Sequence, residues 1–274
     1  MIRLLNANFA RLWKTKSFWV CFILLTVLDI TNFLTSYSVD PECVKKLGAE
    51  LMSHCSNVLL FIAIFAALFL GTDHSNGTIR NKLIIGHKRF EIYFSNLITA
   101  AVGGLILIAA EWSVVLITGF CLGGEIGMPA EEMLLKMLIC ISAVIALSAI
   151  FTLLGMLFTS KSTIITITLV MTFVLVIGAA VIESILAEPE YVTSFEMMTD
   201  GVVTQGEAEP NPLYVSGAKR GVLEAVNDVL PSGQMMQMEI GTLRSAELMP
   251  LYSLGVIAVS TAVGVLVFRR KDLK

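Results

Sequence analysis

The sequence predicts an all-α integral membrane protein with six transmembrane helices, and three observations carry that prediction. Long apolar runs recur from end to end; 56% of the 274 residues are hydrophobic against 15% charged; and Lys and Arg crowd into alternate gaps between the runs. A mean hydropathy of +0.81 leaves too little polar surface for a soluble globule of this size. The net charge of -3 argues against a nucleic-acid partner, because phosphate binding needs a concentrated basic surface.

The first element is residues 1–16, an amphipathic helix. Ile2, Leu5, Phe9, Leu12 and Trp13 share one face and Arg3, Ala7, Arg11 and Lys14 the other, with Leu4 the exception. Such a helix lies along a membrane surface, its Trp at headgroup level and its basic face toward anionic membrane lipid or a protein partner.

Spans need about 20 predominantly apolar residues each. Five fall within 18–186, at Phe18–Thr35, Asn57–Gly71, Phe94–Phe120, Met133–Phe158 and Thr163–Leu186, and the last is Pro250–Phe268. The second is short, and Asp40, Pro41 and Glu42 offer an N-cap, a first-turn Pro and an acid near the positive end of the dipole. One long helix starting there and projecting from the membrane is the expectation. The first run, following basic residues and ending near Ser36 and Ser38, is longer than a signal peptide's apolar region and is read as a span.

Orientation follows from the basic residues. Of the 19 Lys and Arg, 13 fall in one set of alternate segments: Arg3, Arg11, Lys14 and Lys16; Arg80, Lys82, Lys88 and Arg89; Lys161; and the tail 269–274. The excess marks the cytoplasmic side, so both termini are expected inside the cell membrane.

Gly71 to Arg89 is the most suggestive loop. It can form a short helix capped by Asn76 or Thr78 and stopped at Gly86, with Ile79, Leu83 and Ile84 on one side and Arg80 and Lys82 on others. A helix that short buries too little to hold itself in water, so it needs headgroups or a groove of another protein. The plain alternative is a basic loop of the kind any such protein carries. Asn76-Gly77-Thr78 is also a glycosylation sequon, which the cytoplasmic placement argues against using.

In these features the chain resembles the permease subunits of type-2 ABC exporters. The resemblance rests on the start through Trp13 and Lys16, Ser75-Asn76-Gly77-Thr78-Ile79-Arg80-Asn81-Lys82 with Gly86 and Arg89, Leu230-Pro231-Ser232-Gly233-Gln234, and the ending Phe268-Arg269-Arg270-Lys271-Asp272-Leu273-Lys274. It implies one permease domain over 1–274. The first helix, with Phe9, Arg11, Trp13 and Lys14, would be a connecting helix. Thr78 to Ile85, with Thr78, Ile79, Arg80, Lys82 and Leu83, would be a coupling helix resting on a separate ATPase subunit. It also implies a second permease subunit, identical or not, and ATP and Mg bound by the ATPase, with no cofactor in this chain.

Residues 187–249 carry ten acids against three bases and read as a solvated extracellular segment. A helix from about Gly217 to Leu230, ended by Pro231, follows from the spacing of Val222, Ala225, Val226 and Leu230. Gly201 to Pro212 is read as a loop. In the family, short helices near this point dip into the membrane and shape the outer gate.

Within the spans, Glu111 stands out, since a central carboxylate costs about 2.5 to 3.5 kcal/mol on insertion scales and must face the bundle interior, water or a partner. It is the candidate transport-path residue, against an interhelical hydrogen bond as the plain alternative. Asp29 and Glu183 lie nearer span ends, where interfacial water explains them. Cys21, Cys43, Cys55, Cys121 and Cys140 read as membrane thiols, with a Cys43–Cys55 pairing left open. The chain lacks a phosphate loop, an H-E-x-x-H pair and a metal-spaced Cys and His set, so no enzyme is expected here. Two rivals remain: an ion-coupled secondary transporter, and a membrane sensor or assembly protein whose acidic segment binds a ligand.

Overall fold

The computed structural model describes residues 1–197 and 203–271. Asp200, Gly201 and the tail residues 272–274 lie outside these, as do the side chains of Glu196 and Glu207. In chain order the helices are α1 (Ile2–Lys14), α2 (Lys16–Val39), a 3-10 helix (Pro41–Lys46), α3 (Leu47–Glu50), α4 (Asn57–Ser75), α5 (Thr78–Ile84), α6 (Arg89–Cys121), α7 (Ala130–Leu157) and α8 (Lys161–Ala187). An antiparallel hairpin of β1 (Tyr191–Met197) and β2 (Val203–Pro210) follows, then α9 (Gly217–Val229), α10 (Pro231–Ile240) and α11 (Met249–Arg270). Among the described residues, six helices are long and apolar enough to cross a membrane: α2, α4, α6, α7, α8 and α11. Each contains or nearly matches one expected span.

Helix α4 and helix α7 form the centre and are largely buried, while α2, α8 and α11 leave most of their surface outward. Ala143, Ala146 and Ala149 of α7 are fully buried, so small side chains let backbones approach where no hydrophobic effect drives helices together in lipid. Phe61, Phe65 and Phe69 of α4 are buried, with Phe65 against Phe18 of α2 and closely approaching Gly103 of α6. Gly178 of α8 faces open space.

Three expectations about the fold are corrected, and the open question of a Cys43–Cys55 pair is answered. The Asp40 cap exists, its Oδ1 accepting from Glu42 N at 3.0 Å, but no long helix follows. Leu47 N and Gly48 N donate instead to Glu125 O at 3.1 Å and Ile126 O at 2.8 Å in the α6–α7 loop. Amides spent outside cannot continue an α-helical ladder, so the run is interrupted at Leu47, and α3 ends at Glu50 before α4 begins at Asn57. Residues 203–210 within the expected loop are strand β2. Cys43 and Cys55 are both free; Cys43 is half-buried, whereas Cys55 is fully buried and donates from Sγ to Met235 O at 3.3 Å.

The third correction concerns the acids near span ends. Asp29 and Glu183 are both buried rather than hydrated. Glu183 receives both guanidinium nitrogens of Arg244 at 2.7 Å each and Asn227 Nδ2 at 2.7 Å. Arg244 follows α10, so a carboxylate near the end of α8 fixes the segment that returns the chain to α11.

Helix α9 ends near Leu230 as expected, and Pro231 then opens α10 at a position where a missing N–H does no harm. Helix α10 is buried along most of its length against α7 and α8. Its amides are satisfied internally: Gln234 Nε2 donates to Asp228 O at 2.8 Å and Met249 O at 3.1 Å, Ser253 Oγ to Gln234 Oε1 at 2.8 Å, and Gln237 Nε2 to Asp228 Oδ1 at 2.8 Å. Arg244→Ala is expected to lower unfolding stability in detergent by about 2 kcal/mol, because it strands a buried carboxylate, and Glu183→Gln in the same background should recover part of it. Thermal unfolding of the three variants measures this, and an Arg244→Ala midpoint equal to wild type would count against the pairing.

Candidate functional site

Apart from Glu111, the site residues singled out in the sequence lie on α1 and α5, which meet at one end of the bundle. Between α4 and α5, Gly77 takes φ +65 and serves as the N-cap, so neither Asn76 nor Thr78 caps α5 by side chain. The stop at Gly86 is as expected, and its mechanism is visible. With Gly86 at φ +98, Gly86 N donates to Leu83 O at 2.9 Å and His87 N to Lys82 O at 3.1 Å. This is the paired ending that a left-handed residue after a helix permits.

Helix α5 has two different faces. Ile79 is buried, Leu83 is half-buried, and Lys82 turns inward. Arg80 and Asn81 are exposed, as are Ile84 at 73% and Ile85 at 77%. Arg80 and Lys82 therefore do not share a surface. Lys82 Nζ lies 3.3 Å from Asp73 Oδ2 and donates to Asn8 Oδ1 at 3.0 Å.

Asp73, in the last turn of α4, is fully buried and also pairs with Arg11 of α1. The Arg11 guanidinium lies 3.7 Å over the Phe69 ring, a stacked geometry that suits a weakly hydrated cation. Burial lowers the Arg11 pKa to about 10, and burial with the nearby Arg11 charge lowers Lys82 to about 8. Asp73 is the acid paired with both cations. Asn8 completes the knot, its Nδ2 donating to Ser95 Oγ at 2.8 Å and Asn96 Oδ1 at 2.7 Å on α6.

The packed face of α1 differs from expectation. Its buried stripe is Leu4, Asn8 and Leu12, spaced four residues apart, so the supposed exception lies at the centre. Phe9 is half-buried, Ile2 is 77% and Trp13 50% exposed, and Lys14 is exposed. One face of α1 packs on α6 and Phe9 packs against the core, while Ile2 is left outward. Neither Asp73 nor Asn8 was identified from the sequence. The signal for Asp73 was a lone acid in a basic loop directly after an apolar run; for Asn8 it was a polar residue at helical spacing between two leucines.

Glu111 lies far from this knot along the chain, in the middle of α6. It is buried, and among the described residues neither carboxylate oxygen has a hydrogen-bond partner. The interhelical bond considered for it is not made. Asp29 of α2 is in the same condition, so Glu111 is not the lone buried acid of the spans. Nearby, His54 Nε2 lies 3.7 Å from Glu50 Oε1. Glu50 raises the His54 pKa against burial, with smaller contributions from Glu239 and Asp29, and His54 holds Glu50 below its usual value.

A family model described as ABC-2 family transporter protein matches residues 4–179, from α1 through most of α8. No curated protein matches the chain.

Asp73→Asn should leave two buried cations without their acid and lower stability by about 3 kcal/mol, whereas Lys82→Met, which leaves Arg11 and Asp73 paired, should be milder. Thermal unfolding in detergent ranks them, and equal losses would mean that the carboxylate is not shared. The His54–Glu50 pair sets a pH window. A raised His pKa contributes stability below about pH 6.5 that is lost as pH rises through the folded value, and the lowered Glu50 value sets where it is lost on acidification. Between about pH 6 and about pH 8 wild type should lose stability relative to His54→Gln. Parallel curves for the two proteins would contradict the assignment.

Proposed function

Because the chain belongs to the ABC-2 family of transporter proteins, we propose that it is the membrane-spanning permease subunit of an ATP-driven exporter, coupled to a separate ATPase through α5. The observation that carries this reading is the division of α5 into two faces. Arg80, Ile84 and Ile85 are presented outward, while Lys82 and Ile79 hold the other face to the bundle. A seven-residue helix has little stability alone. Pinned in this way it can receive a push.

The force would enter at Arg80 and Ile84, pass through Lys82 to Asp73 at the end of α4, and through Asn8 to α6. Arg11 would couple α1 to the same point, with Trp13 and Ile2 in lipid. Coupling then requires that nucleotide-dependent contacts on α5 differ between two arrangements of the spans. In this reading the basic end is cytosolic, both termini lie there, two permeases pair with two ATPases, and the ATPases bind ATP and Mg. Glu111, joined by Asp29, would line the path. Export rather than import follows the family resemblance.

A second reading is favoured by those same two acids. Buried carboxylates without hydrogen-bond partners suit an ion-coupled transporter, in which a cation or proton supplies the missing charge. That reading needs no ATPase and predicts flux by the purified chain under a gradient alone.

The double variant Arg80→Glu, Ile84→Ser should weaken co-purification of the ATPase by roughly tenfold, the scale expected when a charge and an apolar anchor leave an interface, while the thermal midpoint stays at the wild-type value. Substrate-stimulated ATP hydrolysis should fall with it. Undiminished association and hydrolysis in that variant would remove α5 as the docking element, and gradient-driven flux without ATP would favour the second reading.

A further inference from the structure

We propose that the outward groove between α6 and α11 is a binding site for an anionic phospholipid. The start of α6 and the end of α11 meet at the basic end, where Arg89 Nη1 donates to Phe268 O at 2.7 Å and to Lys271 O. These bonds cap the last turn of α11 and fix the guanidinium. Beside it, Lys88, Arg89, Phe90, Val265 and Arg269 line a pocket of about 560 Å³. Lys88 and Arg269 are exposed, and neither makes an ion pair among the described residues. Glu91, the acid nearest Lys88 in sequence, is occupied by the Met1 amine at 3.3 Å and by His87 at 3.8 Å, and Asp272, the acid nearest Arg269, lies outside the described residues.

The pocket continues along the same two helices into an apolar groove of about 600 Å³, whose walls include Phe94, Leu97, Ile257, Ala258 and Ala262. Val265 belongs to both. Behind it the helices are in close contact: Tyr93 of α6 sits where a Cβ on Gly264 would collide with it. From Arg269 to Ile257 the groove follows α11 for about 18 Å at 1.5 Å per residue. One leaflet is half of a hydrocarbon core about 30 Å thick, or about 15 Å. A cationic head at the helix ends and an apolar channel one leaflet deep together have the shape and polarity of a phospholipid.

Charge selects this occupant over the alternatives. A second copy related by a two-fold axis along the membrane normal would present the same surface, bringing Lys88 and Arg269 against their own counterparts. A zwitterionic lipid brings an ammonium toward three cations, whereas an anionic one brings an unopposed phosphate. The inference requires only that α6 and α11 span the membrane, and it stands apart from ATPase coupling at α5.

The test uses the full chain purified in detergent and exposed to phosphatidylglycerol or to phosphatidylcholine with the same acyl chains, with bound lipid counted by native mass spectrometry. Wild type should retain phosphatidylglycerol in preference. The double variant Lys88→Gln, Arg269→Gln should lower that retention by roughly tenfold and leave phosphatidylcholine unchanged, and Ala262→Trp, which fills the groove, should displace both. Arg89 is kept because it caps α11. Added phosphatidylglycerol should raise the thermal midpoint of wild type and not of the charge variant, which decides the matter even where Ala262→Trp fails to fold. Equal retention of the two lipids by wild type, or undiminished phosphatidylglycerol on the charge variant, would overturn the proposal. So would an Ala262→Trp protein that changes oligomeric state while keeping its lipid, which would assign the groove to a second copy.

Discussion

The buried carboxylate of Asp73 organises the basic end of this protein. An acid with no access to water must be paired or neutralised, and Asp73 is paired twice, by Arg11 from α1 and by Lys82 from α5. Both partners come from elements too short or too polar to hold their positions alone. The carboxylate therefore sets where α1 lies and which face α5 turns outward. Asn8 extends the arrangement to α6 by spending its amide on Ser95 and Asn96 and its carbonyl oxygen on Lys82. The exposed Arg80 and Ile84 are consequences of this inward anchoring.

A similar solution holds the opposite end. Glu183 of α8 is buried and met by Arg244 and Asn227, which ties the segment after the hairpin to the bundle. Helix α10 can then sit among spans because its Gln234 and Gln237 amides find carbonyl and carboxylate partners. Between these two anchored ends lie Asp29 and Glu111, buried without partners among the described residues.

Much of this was legible in the sequence. The six spans follow from apolar length alone, since a bilayer imposes one minimum on every helix that crosses it. The stop of α5 was legible at Gly86, whose backbone angle other residues adopt at a cost, and α9 was legible from its spacing and from Pro231. What failed depended on partners distant in sequence. The expected helix from Asp40 ignored Glu125 and Ile126, which take the amides of Leu47 and Gly48. The face of α1 was read from hydrophobicity, which cannot distinguish packing on α6 from exposure to lipid when both surfaces are apolar.

By itself the sequence determined that this chain lives in a membrane, how many times it crosses, and where its basic segments fall, because these are sums over local composition. Only the tertiary structure decided which charges are internal fasteners and which are presented outward. Arg80 and Lys82 are two residues apart and chemically alike, yet one is exposed and the other holds Asp73. Pairing of a buried charge is settled by which atoms arrive within about 4 Å, where a low-dielectric surrounding makes the interaction strong, and that proximity is a property of the folded bundle rather than of any stretch of its sequence.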